Sequence, residues 1–147
     1  MIGLTLLCPG LPGVALAACV MFASPAFAET VSFKADLKAS EEVPPNDSKA
    51  TGTVTATYDT ANKKLTWKGN YSGLTGPATM AHFHGPAEPG KNAGVAVPIT
   101  PSASPFENSA NLTDAQAADL LAGRWYVNVH TAAHPGGEIR GQLAKGM

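Results

Sequence analysis

Four histidines occur in this chain, and they fall in two pairs, His82/His84 and His130/His134. In Met80-Ala81-His82-Phe83-His84, strand alternation puts positions 80, 82 and 84 on one face and Ala81 and Phe83 on the other. Same-face neighbours along a strand are ~6.5–7 Å apart at Cα, so two imidazoles there can converge on one ion at ~2.0–2.1 Å. In Trp125-Tyr126-Val127-Asn128-Val129-His130, the apolar face takes Trp125, Val127 and Val129. The polar face is left with Tyr126, Asn128 and His130. Both segments therefore carry histidine on the side away from the core, and His82, His84 and His130 can meet if the two strands share a sheet. His134 follows in a Pro-Gly-Gly turn and is expected as a fourth or outer ligand. Imidazoles without thiolates suit copper(II) or zinc, and a tetragonal nitrogen set favours copper. Met80, on the same face, can help hold copper(I), although ordinary packing is the simpler reading of it.

The elements that must position these rings are strands. In Val31–Ala39 every odd position is apolar and every even one polar. Thr53–Asp59 repeats the pattern with Val54, Ala56 and Tyr58 inward, and Leu65–Tyr71 does so with Leu65, Trp67 and Tyr71. Such alternation buries one face of a strand and wets the other. Further strands are expected at Met80–His84, Val95–Ile99, Arg124–Thr131 and Glu138–Ala144. Five prolines in Gly85–Pro105 indicate a long, rigid loop with one edge strand inside it. One short helix is expected near 114–122, capped by Thr113 and ended by Gly123 in a left-handed conformation. The pattern predicts an all-β fold, an antiparallel Greek-key β-sandwich of immunoglobulin-like or superoxide-dismutase-like type.

Composition narrows the chemistry further. The chain has 147 residues, net charge −1 and 44% hydrophobic content, which fits one small globular domain. Ten basic against eleven acidic residues leave no electrostatic footprint for nucleic acid. No Gly-rich nucleotide loop is present. Residues 1–28 carry no charged side chain, and an apolar run is followed by Ala26-Phe27-Ala28, the small-residue pattern of signal-peptide cleavage. The expectation is a leader at 1–28 and a mature domain at 29–147, secreted or periplasmic, with no stable membrane span after cleavage. Leu16-Ala17-Ala18-Cys19 offers lipid anchoring at Cys19 as a minor alternative. Cys8 and Cys19 both leave with that leader, so any metal site must use histidine, carboxylate, methionine or backbone groups.

Other chemistry is discounted. Asp114/Asp119 and Glu41/Glu42 read as helix and loop solvation. Glu138 and Arg140 read as a same-face surface ion pair, worth little in water. Their functional alternative is a carboxylate that orients an imidazole and an arginine that attracts anions.

Three blocks resemble a known family. These are Ala81-His82-Phe83-His84-Gly85-Pro86-Ala87, Tyr126-Val127-Asn128-Val129-His130-Thr131 and Pro135-Gly136-Gly137-Glu138-Ile139-Arg140-Gly141-Gln142. Together they resemble the chordin-type (CHRD) domain over roughly Val31 to Leu143. That domain is repeated in the animal regulator chordin and occurs singly in exported microbial proteins, which implies an extracellular setting and, as one role, protein interaction. A weaker resemblance is to copper/zinc superoxide dismutase, where His82 and His84 look like the copper pair and Arg140 like the anion-guiding arginine. Gly85–Pro105 holds no His or Asp, so that enzyme's zinc site has no counterpart. The leading expectation is one copper ion on His82, His84, His130 and His134, with zinc, a copper-only dismutase and a metal-free interaction module as the alternatives.

Overall fold

A computed structural model describes residues 28–146. The expected leader, with Cys8 and Cys19, lies outside the described residues apart from Ala28. Among the described residues nine strands form: β1 (Thr30–Lys38), β2 (Thr51–Asp59), β3 (Lys64–Ser72), β4 (Ala78–His84), β5 (Val95–Pro98), β6 (Phe106–Asn111), β7 (Tyr126–Thr131), β8 (Ile139–Gln142) and β9 (Ala144–Lys145). Among the described residues no helix is long and apolar enough to cross a membrane.

The strands build one antiparallel sheet in the order β5-β4-β7-β8-β1-β2-β3-β6, with β9 against β1. Alternation acts as expected on β1, where Phe33, Ala35 and Leu37 are buried and Lys34, Asp36 and Lys38 are exposed. It acts likewise on β2 and β3 through Val54, Ala56, Tyr58, Leu65 and Trp67. Strands β3 and β4 lie near opposite ends of that order, yet Trp67 meets Phe83 edge-on at 5.1 Å between ring centroids. The sheet therefore curls nearly into a barrel, and its two halves face each other across a single core. Each large side chain buried there contributes ~1.5–3 kcal/mol.

The short helix α1 (Asp114–Leu121) starts with a capping box: Gln116 N–H donates to Thr113 Oγ1 and Thr113 N–H donates to Gln116 Oε1. Gln116 also donates from Nε2 to the Ala96 carbonyl at 3.0 Å, tying the helix to edge strand β5. Gly123 closes it at φ +74°.

Strand β6 was not expected. Phe-Glu-Asn-Ser-Ala-Asn buries only Phe106, so it has no alternation to read; its pairing to β3 from Lys64↔Asn111 to Gly69↔Phe106 makes it a strand. A second correction concerns β7. Tyr126, Asn128 and His130 were expected on a solvent-facing side, but all six residues of β7 are buried. Three segments roof that face: the 39–47 turn, the 85–94 loop and the 133–137 turn. They are laced together by Asn92 Nδ2 donating to the Val43 carbonyl, Asn46 Nδ2 to the Glu138 carbonyl, and Gln142 Nε2 to the Ala87 and Gly123 carbonyls. The molecule thus has an apolar layer on one side of β4, β7 and β8, and a buried polar layer on the other.

Candidate metal centre

Strands β4 and β7 are direct neighbours, and their register places Met80 opposite His130, His82 opposite Asn128 and His84 opposite Tyr126. Facing residues in such a pair point to the same side of the sheet. His82, His84 and His130 therefore share the polar layer. One ring nitrogen from each lies within 4.8 Å of the others. The sheet is irregular at both ends of this segment, between Ala78 and Met80 against β7 and between Phe83 and His84 against β5. Such bulges re-aim side chains and recur beside functional sites.

Neighbouring carbonyls decide which nitrogens are free. His130 Nδ1 lies 2.9 Å from the Pro135 carbonyl and His84 Nδ1 lies 3.0 Å from the Ala93 carbonyl. A carbonyl only accepts, so both Nδ1 atoms carry the proton and both Nε2 atoms offer a lone pair. His130 Nε2 faces His82 Nδ1 at 3.2 Å. His84 Nε2 is buried with no hydrogen-bond partner. Two nitrogens 3.2 Å apart subtend about 100° at an ion ~2.05 Å from each, between square and tetrahedral angles. With both rings neutral, His82 Nδ1–H donates to His130 Nε2.

The rings differ in access. His84 and His130 are 8% and 7% exposed, whereas His82 is half-buried. Burial, followed by the neighbouring His130 and His84, pushes the His82 pKa down. Burial also pushes His84 down, with the Ala93 carbonyl partly opposing it. Both shifts favour the neutral form, which is the form that ligates.

His134 is not in this group. Its backbone N–H donates to the Thr131 carbonyl and hydroxyl, and the half-buried residue lines a separate 250 Å³ hollow together with Glu42 and Pro135. Arg140 is 2% exposed and fully engaged. It lies 3.5 Å over the Tyr126 ring and donates to Asn92 Oδ1 at 2.9 Å and to the Lys91 carbonyl at 2.5 Å. Tyr126 in turn stacks on His84, with centroids 4.9 Å apart and planes 4° apart. The stack Arg140-Tyr126-His84 fixes the plane of one candidate ligand.

Glu138 and Arg140 do not form the surface pair expected of them, because both are buried. Nor does Glu138 orient an imidazole; the Ala93 and Pro135 carbonyls do that. Neither carbonyl carries a side-chain signal in the sequence. Glu42, expected as loop solvation, is buried too. Gly137, at φ +126°, has no Cβ to collide with Glu42 and Asn128. Burial raises the Glu42 pKa to about 7, against the opposing pull of Arg140 and the Asn128 amide. A carboxyl raised in the folded state weakens folding as pH climbs from the unfolded value of 4.5 towards about 7. Glu42→Gln should therefore match the parent below that window and exceed it by roughly 3 kcal/mol above it. Urea denaturation at acidic and mildly alkaline pH checks this, and an equal difference at both pH values would contradict it.

No curated protein and no solved structure matches this chain. The model of the CHRD domain matches residues 33–143, a span that takes in all three clustered histidines and nearly every strand, and the chain belongs to the CHRD domain family.

Proposed function

We propose that this domain binds a single copper ion through His82, His84 and His130, in an exported protein whose leader is residues 1–28. The observation that carries the reading is the convergence of three imidazole nitrogens within 4.8 Å, with two tautomers set by backbone carbonyls. Histidines that serve only solvation have no reason to be roofed over with a buried lone pair left unpaired on one of them. An all-nitrogen set at about 100° suits copper, with zinc as the competing ion. The proposal is for binding rather than turnover. Arg140, which a dismutase-like reading would use to guide anions, is occupied by Asn92, Lys91 and Tyr126.

Calorimetric titration of the 29–147 domain with copper(II), against a weak competing chelator, tests the reading. Expected at neutral pH is one site much tighter than micromolar; binding no tighter than micromolar would remove the proposal. Protons compete with metal for imidazole. The downward shifts of His82 and His84 keep those nitrogens neutral below the ordinary histidine value of 6.5. Once those two rings protonate, affinity should fall by up to about tenfold per pH unit for each proton displaced.

A further inference from the structure

Among residues 28–146 there is one sulfur atom, that of Met80; Cys8, Cys19, Met1, Met21 and Met147 all lie outside them. This sulfur is carried directly opposite His130 in the β4–β7 register, where facing Cβ atoms are ~4.5–5.5 Å apart. His82 lies two residues further along the same face of β4. Met80 is 48% exposed, and with Val95 it is one of two large apolar side chains uncovered among the described residues. Val95 faces His84 across β4 and β5, so both border the histidine cluster. Packing does not account for Met80, since the core lies on the other face. The bulge before it has a visible effect: Ala78 packs against the core, whereas Met80, two residues on, faces the histidines. An unbroken strand would put both on one side.

The geometry points to Met80 as a thioether donor that closes the three-histidine set from its solvent side and makes the site select copper(I). This rests on the His82/His84/His130 reading. A thioether is soft and neutral; it adds to copper(I) affinity and little to that of copper(II) or zinc. Charge works in the same direction. Three neutral imidazoles and a neutral sulfur leave one positive charge in the site with copper(I) and two with the other ions, and a roofed site penalises the second charge. The unpartnered Nε2 of His84 supplies the inner side of the same coordination sphere.

The test compares the parent domain with Met80→Leu and Met80→Gln, which keep similar bulk without sulfur. Copper(I) affinity is read anaerobically by competition with a chromophoric chelator, copper(II) and zinc affinities by calorimetry, and the copper(I) environment by X-ray absorption. Expected is a loss of about tenfold or more in copper(I) affinity, a difference of 1.4 kcal/mol or more. Copper(II) and zinc should change less than about threefold, and one sulfur scatterer should vanish in both variants. Equal effects on all three ions, or a parent spectrum without sulfur, would overturn the role of Met80 and leave the histidine site standing. A parent protein that binds none of the ions would overturn both.

Discussion

A His130→Ala protein should bind copper(II) more than about a hundredfold more weakly than its parent. Loss of a group that merely orients a ligand costs 10–100-fold in metal affinity, and His130 is placed to be the ligand itself. Its Nε2 is one of the two nitrogens 3.2 Å apart, so its removal takes away both a donor and the ~100° bite. His134→Ala is the matched control, because that residue lines another hollow; its affinity should stay within about threefold of the parent. Circular dichroism must show both variants folded. Parent-like binding by folded His130→Ala would dismantle the three-histidine site, and a large loss in His134→Ala would move the site towards the 133–137 turn.

Glu138→Ala should be the most destabilising single truncation outside the apolar core. The Glu138 carboxylate is fully buried and accepts four hydrogen bonds: from Ser48 Oγ at 2.6 Å, Thr131 Oγ1 at 2.7 Å, Thr75 Oγ1 at 2.8 Å and Thr75 N–H at 2.9 Å. These donors come from the segment before β2, from β7, and from the loop between β3 and β4. Removing their shared acceptor leaves the buried Thr131 hydroxyl and the half-buried Ser48 hydroxyl without their partner and frees the exposed Thr75 from both of its bonds, at ~3 kcal/mol together. For a domain this size that is a Tm loss of more than about 10 °C. Burial alone would raise this carboxyl, but its hydrogen bonds outweigh that and hold the pKa at about 2, against 4.5 unfolded. The stabilisation is therefore complete above 4.5 and is lost as pH falls towards 2. Glu138→Gln, which cannot titrate, should be less stable than the parent at neutral pH, and the gap should narrow through that acid window. A neutral-pH Tm within about 3 °C of the parent for Glu138→Ala would show the knot to be dispensable.

The apolar half of the fold was legible because period two is written into β1, β2 and β3: Phe33-Ala35-Leu37, Val54-Ala56-Tyr58 and Leu65-Trp67 all face inward. The helix was legible because Thr113 caps it and Gly123 closes it from local sequence. The pairing of β4 with β7 could be framed only as a condition, since residues 48 apart in the chain meet through topology. What alternation could not convey was the roof. A polar residue on a strand face reads as solvated unless something distant covers it, and here the cover comes from loops. That is why Glu42, Glu138 and Arg140 were read as surface groups, and why the Ala93 and Pro135 carbonyls left no trace in the sequence. Strand β6 was hidden for the related reason that an edge strand buries one residue, Phe106, and owes its shape to its partner.

The uneven enclosure of the three rings has a kinetic meaning. Two are walled in by polypeptide and the third, His82, is half open, so an ion held as proposed would arrive and leave at the His82 edge. A competing donor molecule would then approach at that edge and bond the ion while the inner nitrogens still held it. Handover would then run through a shared, mixed-ligand complex, faster than spontaneous escape into water and rising with the concentration of the acceptor.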